Sequence, residues 1–488
     1  MYMKGGKRQR SGRKKIQEEY KKKGVNVYLT LDEIDFIKSN FLGNNLSTKV
    51  RSVIKVGINN YLESMKNVVR YIDLFAGLGG IRIGLNQALS QLGIEGKCVL
   101  TSEIKKHALK AYTNNFSEEN IVGDITQVQV ESIPDFEVLL AGFPCQPFSA
   151  AGNRLGFKDT RGTLFFEIER ILRAKKPYAF ILENVEGLVT HDGGRTLGIM
   201  LEILASLGYK VTHKLLDARD FGLAQSRKRV YLVGTLDTFV SLEDFELSQS
   251  SFKDIQEHGV AYTPSEFSTK LLQNYPQEQL YGKSIKDKRG GKDNIHSWDL
   301  ELKGAITSSQ KQILNQLLKE RRKKKWAEEI GIKWMDGMPL TCKQIATFVE
   351  EENLQELLDD LVQKGYLSFE HPKDLVNGKR VYIETKPKGY NIVTGKLSFE
   401  FSKILDPHEV TPTLVATDVE KLGVIDGDGI RKLTLREGLR LCGFPEDYSL
   451  DSVSYRQGMD LLGNTVCIPV IEQIALRVGK LFKEKFQH

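Results

Sequence analysis

The chain has 488 residues, 40% of them apolar and 27% charged, which excludes a disordered chain or a bundle of membrane helices. At about 100–200 residues per domain, that length predicts two to four domains. The net charge of +7 hides an asymmetry, because residues 1–23 carry ten Lys or Arg against two Glu, a balance of +8 that leaves −1 for the rest.

That opening is read either as a solvated disordered arm or as a tail that seeks phosphate. No apolar run approaches the roughly 18 residues needed to span a bilayer. The start MYMKGGKRQRSGRKK has neither an apolar core nor a small-residue cleavage site. Neither membrane insertion nor export is expected, and the location expected is the cytoplasm. The five cysteines, Cys98, Cys145, Cys342, Cys442 and Cys467, form no CxxC pair and have no nearby His at ligand spacing. Disulfides and a metal site are therefore not expected, and all but Cys145 read as buried small hydrophobes.

Residues 24–67 form a unit of their own. Val25 to Thr30 alternates as a strand does, Thr30 with Glu33 makes a capping box, and Ile34, Ile37 and Phe41 recur at helical spacing. Ser47 is set to cap a second helix with an apolar stripe through Val50, Val53, Ile54, Ile58, Tyr61 and Leu62. This order resembles ribbon-helix-helix DNA-binding proteins, which dimerise through the strand. The other reading is a helical appendage on the main body.

From 68 to 234 the segments VVRYIDLF, CVLTSE, EVLLAGF, YAFILENV and RVYLVGT read as strands, with amphipathic helices such as GTLFFEIERILRA and TLGIMLEILASLGY between them. That alternation predicts an α/β, doubly wound parallel sheet with helices on both faces and ligands at the strands' carboxyl ends. Residues 235 to about 410 are charged and have longer connections. Within them LTCKQIATFV, NLQELLDDLVQKGYL and a strand pair YLSFE and RVYIET look like a winged helix over about 338–390, and Arg321 to Lys325 form a basic run expected to follow phosphates. From Thr411 the sequence returns to a compact, apolar-patterned text.

Three strand ends carry the parts of an adenosyl pocket. DLFAGLGG (Asp73 to Gly80) closes a strand and opens a helix, with glycines at 77, 79 and 80 that allow close approach to the backbone. Glu103, 23 residues past Gly80, is placed for ribose hydroxyls, and Asp124 in GDI for an adenine amino group. After the next strand comes GFPCQPFS (Gly142 to Ser149). There Pro144 and Pro147 break any strand ladder and stiffen the backbone around Cys145.

With these blocks the sequence resembles the C5-cytosine-specific DNA methyltransferases of prokaryotic restriction-modification systems. DLFAGLGG, SEI (Ser102 to Ile104), GDI (Gly123 to Ile125), GFPCQPFS, ENV (Glu183 to Val185), QSRKR (Gln225 to Arg229), RKLTLREGLRLCGFP (Arg431 to Pro445) and GNTV (Gly463 to Val466) occur in the family's order. The resemblance covers about 68–234 and 405–488. Thr465 stands where Ser is frequent, Cys442 where Gln is common and Lys105 where an acidic residue is usual.

The resemblance implies a Rossmann-like S-adenosylmethionine-dependent domain at 68–234, completed by 463–488. It implies a target-recognition domain at 235–462, after the basic arm 1–23 and the unit 24–67. It implies S-adenosyl-L-methionine as cofactor, held by Phe75, Ala76, Gly77, Leu78, Gly79, Gly80, Glu103, Ile104, Asp124, Ile125, Pro144, Leu164, Asn464 and Thr465. Cys145 is then the nucleophile at C6 of a flipped cytosine, with Glu183 serving N3, and Arg227 and Arg229 serving O2. Gln146, Ser149, Arg154 and Arg161 are set to fill the vacated stack or grip phosphates. The partners implied are double-stranded DNA at the nucleoid, a second copy through 24–67, and a cognate restriction endonuclease that reads the same site. Two further readings stay open: an RNA cytosine-5 methyltransferase of related fold, and an added role as autoregulator of transcription through residues 1–67.

Overall fold

The computed structural model describes residues 29–40, 45–55, 67–117, 120–144, 164–288, 290–291, 293–333, 337–376, 379–394 and 399–487. Residues 1–67 and 68–488 are two separate units. In the first, α1 (Leu31–Asn40) begins with the expected box. The Thr30 amide donates to Glu33 Oε2 (2.7 Å) and the Glu33 amide to Thr30 Oγ1 (3.3 Å). The second helix, α2 (46–55), starts earlier than the sequence suggests. Its cap is Asn45, whose Oδ1 accepts from the Thr48 amide at 3.0 Å, and Ser47 lies inside the first turn. The expected strand of this unit falls largely outside the described residues.

The second unit is built on a seven-stranded sheet. In chain order its elements are β1 (Val68–Leu74), α3 (Gly80–Gln91), β2 (Glu95–Ser102), α4 (Lys106–Asn115), β3 (Ile121–Val122), β4 (Val138–Gly142), α5 (Leu164–Lys175), β5 (Ala179–Val185), α6 (Gly187–Thr190), α7 (Arg195–Ser206), β6 (Lys210–Asp217) and β7 (Lys228–Thr235). The spatial order is β3-β2-β1-β4-β5-β7-β6. Strand β7 runs antiparallel to both neighbours, so the sheet is mixed rather than wholly parallel. Alternation decides its two faces, since successive side chains of a strand point to opposite sides. Val138, Leu140, Ala179, Ile181, Tyr231 and Val233 pack on one side with helix α3 residues and the last helix, while Leu139, Ala141, Phe180, Leu182, Val230 and Leu232 pack on the other with α5 and α7.

After β7 come α8 (Glu266–Asn274), α9 (Gln277–Leu280), β8 (Ser284–Ile285), β9 (Asn294–Ile295), α10 (Ser308–Glu320), α11 (Lys325–Ile330), α12 (Cys342–Ile345), α13 (Leu354–Gln363), β10 (Leu367–Glu370), β11 (Lys373–Val376), β12 (Lys379–Tyr382) and β13 (Gly389–Ile392). The chain then forms β14 (Lys403–Ile404), β15 (Leu422–Asp426), β16 (Gly429–Lys432), α14 (Leu435–Leu441), α15 (Tyr455–Asn464) and α16 (Ile468–Gln487). A five-stranded sheet, β16-β15-β14-β8-β9, covers its own small core. Leu405, Leu414, Leu439, Leu441, Met459 and Leu462 share a third core with Leu78, Ala108, Ala111 and Ala224 of the cofactor side.

Helix α16 comes back along α3, where a Cβ on Gly84 would sit 2.7 Å from Ile471. That distance allows no side chain at 84 without movement. No single helix among the described residues is long and apolar enough to cross a membrane.

Three local expectations are corrected. YLSFE does not pair with RVYIET: β10 pairs with β13, and β12 pairs with β11, so KDLV is the hairpin partner. Arg321 is not a phosphate contact, because it is 4% exposed and its guanidinium donates to Asn391 Oδ1 at 2.5 Å. Cys98 and Cys342 are only half-buried, unlike Cys442 and Cys467.

Candidate active site

The carboxyl ends of β1, β2, β4 and β5, with the loop between α15 and α16, enclose a cavity of about 320 Å³. Thirteen of the fourteen residues expected at a cofactor line it. The exception is Gly79, where a Cβ would meet the Phe116 ring at 2.6 Å. Glu183, Arg227 and Arg229 line the same cavity. Cys145, Gln146, Ser149, Arg154 and Arg161 lie outside the described residues.

The loop after β1 is wound tightly. Phe75 has φ 57°, a region a bulky side chain enters only when its surroundings hold it there, and Gly77 and Gly79 follow at 55° and 73°. A Cβ at Gly80 would lie 2.7 Å from Val466 Cγ2 and 3.4 Å from Thr465 Oγ1, so the bare glycine lets the Thr465 loop close over α3. The amino terminus of α3 has no side-chain cap, which leaves its amides for a carboxylate or phosphate. Glu103 ties the next strand end to this loop. Its Oε2 accepts from the Gly77 amide, and its Oε1 from the Ile104 and Lys105 amides, each at 2.8 Å. Asp124 Oδ1 accepts from the Thr126 hydroxyl (2.7 Å) and amide (2.9 Å), which hold its carboxyl below the usual range. Ile104, a large apolar side chain that lines the cavity, is 69% exposed. Lys105 pairs with Asp460 at 3.4 Å, which gives the unusual cation a local counter-charge.

The acid and base end of the cavity comes from the antiparallel pair β5 and β7. Arg229 Nε meets Glu183 Oε1 at 3.0 Å, with both side chains about nine-tenths buried. Burial raises the Glu183 pKa, and this outweighs the opposite pull of Arg229 and Arg227. Burial likewise lowers the pKa of Arg229, helped by repulsion from Arg227. Arg227 is 2% exposed. Its guanidinium donates to the carbonyls of Leu414 (2.8 Å), Gly463 (3.1 Å) and Thr465 (2.6 Å). Its two terminal nitrogens thus hold backbone, whereas the resemblance implies Arg227 at O2 of the base.

Three side chains absent from the expected set hold this end together. Asn184 donates to the Phe143 carbonyl at 2.9 Å, which holds the backbone just past the end of β4. Gln225 is fully buried, donates to the Leu441 carbonyl (2.9 Å) and accepts from the Leu414 amide (3.0 Å). Asp217 accepts from the Arg227 amide at 2.9 Å. Asn184 and Gln225 stand inside the ENV and QSRKR blocks, so the signal was present, although polar residues that serve backbone look like any others in sequence.

A mixed seven-stranded sheet with a loop-and-carboxylate pocket at its carboxyl edge defines a Rossmann-like methyltransferase. Within that class the family is shown: the model of the C-5 cytosine-specific DNA methylases matches residues 69–480, and the chain belongs to that family. It is a DNA (cytosine-5-)-methyltransferase of a family that uses S-adenosylmethionine. It is 57% identical to the type II methyltransferase M.NlaIV of Neisseria lactamica over 418 residues, 84% of this chain and 98% of that protein. It is 56% identical to M.NgoBV of Neisseria gonorrhoeae over the same shares. It is 42% identical to M.BanI of Aneurinibacillus aneurinilyticus over 83% of this chain and 94% of that one. Residues 1–68 lie outside the family match.

Proposed function

We propose that this enzyme binds a short site in duplex DNA, turns one cytosine out of the helix and methylates its C5 through a covalent bond between Cys145 and C6. The observation that carries this reading is the buried Glu183–Arg229 pair, a carboxyl whose acid form is favoured by burial beside a fixed guanidinium. Cytosine C5 is a poor nucleophile until the ring's aromaticity is broken. The Cys145 thiolate adds to C6, and the displaced electron pair settles at N3, where Glu183 delivers its proton. Arg229 donates to O2 and holds the ring in place. S-adenosyl-L-methionine, when bound, supplies an electrophilic methyl group for C5. Water takes the C5 proton, the C–H electron pair restores the ring double bond and expels Cys145 as its thiolate, and the N3 proton returns to Glu183.

The cavity's residues fit that cofactor. The α3 amides suit its carboxylate, Glu103 its ribose hydroxyls, Asp124 Oδ2 its adenine amino group and Ile104 the face of the adenine. Asn464 and Thr465 close the methionine end. Arg227 is assigned to positioning the 463–465 loop rather than to the base. Gln146, Ser149, Arg154 and Arg161 are assigned to the DNA, and sequence reading to residues 235–462. Residues 24–67 are assigned to a DNA-binding or dimerising unit, supported by the α1 box and the helix pair. The relatives' type II names support a role in protecting cytoplasmic DNA from a cognate restriction endonuclease.

The test is C5-methylcytosine sequencing of plasmid DNA from cells that express the wild-type chain or Cys145→Ala. Methylation at one short motif, absent from the variant, is expected. A wild-type chain that leaves DNA unmethylated while binding S-adenosylmethionine overturns the reading.

A further inference from the structure

The segment between α10 and β13 has the topology of a winged helix. Leu340 pairs antiparallel with Tyr390 and β13 with β10, while α10, α12 and α13 bury Ile313, Leu317, Ile345, Leu358 and Leu361 beneath that small sheet. In helix-turn-helix proteins the second helix of the pair enters the major groove, and here that helix is α13. Its charge argues against that role. Residues 350–364 hold six acids (Glu350, Glu351, Glu352, Glu356, Asp359, Asp360) against Lys364, a balance of −5. Duplex DNA presents about one negative charge per 1.7 Å, so such a face is repelled.

The ribbon β11–β12 has the opposite character. Residues 373–388 hold five cations (Lys373, Lys379, Arg380, Lys386, Lys388) against Asp374 and Glu384, a balance of +3. The register Lys373↔Tyr382 and Leu375↔Arg380 puts these four side chains on one face of the ribbon. Leu375 is 47% exposed and Tyr382 50%, and the Lys373 ammonium lies 4.4 Å from the centre of the Tyr382 ring. A two-stranded ribbon is marginal alone, and large exposed apolar side chains together with cations mark a surface that a partner covers. A ribbon of this width fits the major groove, where Arg pairs with guanine and apolar groups meet the thymine methyl.

We propose that the substrate's base sequence is read by the β11–β12 ribbon, through Leu375, Arg380 and Tyr382, with α13 turned away from the DNA. This rests on the reading of the chain as a site-specific DNA methyltransferase. The experiment compares three full-length proteins: wild type, Leu375→Ala/Arg380→Ala, and Glu352→Lys/Glu356→Lys. The readouts are plasmid methylation maps, KM for a duplex carrying the wild-type motif, and S-adenosylmethionine affinity by calorimetry. The ribbon variant is expected to raise KM for DNA at least tenfold and relax the motif, with cofactor affinity within twofold of wild type. The helix variant is expected to keep the motif. An unchanged motif and KM in the ribbon variant, or a motif altered by the helix variant, overturns the proposal. If the ribbon variant loses cofactor affinity as well, Arg380→Lys alone decides, and an unchanged motif and KM there also overturn it. A wild-type chain that methylates no DNA overturns the parent reading instead, so the two failures are distinct.

Discussion

Replacing Arg227 by Met removes three hydrogen bonds while keeping most of the side chain's bulk. The bonds run to the carbonyls of Leu414, Gly463 and Thr465, so the substitution unties the segment between β14 and β15 from the loop that closes the cofactor cavity. Hydrogen bonds from a charged donor contribute about 1.5–3 kcal/mol each, and relaxation and entering water recover part of that. Two of the three bonds fall on the 463–465 loop. If about 1.5–3 kcal/mol of its order must be restored on binding, the Kd for S-adenosylmethionine rises about 10- to 150-fold, at 1.4 kcal/mol per decade. Calorimetric titration of the DNA-free protein with cofactor measures this directly, and Arg227→Lys, with one compact donor group, is expected to fall between. A Met variant whose cofactor Kd stays within twofold of wild type while kcat drops a hundredfold would refute the reasoning, and would put Arg227 on the base.

Glu183→Gln is expected to lower kcat at least about a hundredfold, as loss of a general acid does, with cofactor Kd little changed. Because burial raises the Glu183 pKa, its proton is present below that raised value and is lost as pH rises through it. The wild-type kcat profile should therefore show a descending limb above the ordinary glutamate range, and a limb that persists in Glu183→Gln assigns it elsewhere. Arg431→Met strands Asp426 and Glu437, which pair with Arg431 at 2.8 Å in a site where each side chain is at most 4% exposed. A loss of about 3–5 kcal/mol is expected in urea unfolding, against under 1 kcal/mol if the pairs were replaceable by packing. Gly80→Ala sets a methyl 2.7 Å from Val466 Cγ2, and is expected to cost about 1–3 kcal/mol and to weaken cofactor binding, read by thermal shift with and without S-adenosylmethionine.

The sheet's central strands were legible because β4 and β5 are apolar runs buried on both faces, whereas β6 escaped. Its sequence KVTHKLLD mixes charge with half-buried positions, as an edge strand does. The direction of β7 escaped for a different reason: a strand buried on both sides reads the same whether its neighbours run with or against it. The winged segment shows the same limit at closer range. YLSFE, KDLV, KRVY and GYNI all look like strands, and the choice of partner among them depends on where Leu340 lies, 50 residues before Tyr390 in sequence and directly beside it in space.

The site divides along the same line. The residues proposed for chemistry come in short blocks at strand ends, so Glu103, Asp124, Glu183 and Arg229 could be set there in advance, and they line one cavity in the fold. Residues whose task is to hold backbone carry no such mark. Arg227 lies two positions from Arg229 with the same side chain, and only the approach of Leu414, Gly463 and Thr465, each far away in the chain, separates the guanidinium that anchors a loop from the one that pairs with Glu183. The two arginines are also electrostatically joined, because the fixed charge of Arg227 lowers the pKa of Arg229 and pulls down that of Glu183. Removing that charge by Arg227→Met should for that reason move the descending limb of the pH profile upward. A limb that stays where it was in Arg227→Met would refute the coupling of the Arg227 charge to Glu183.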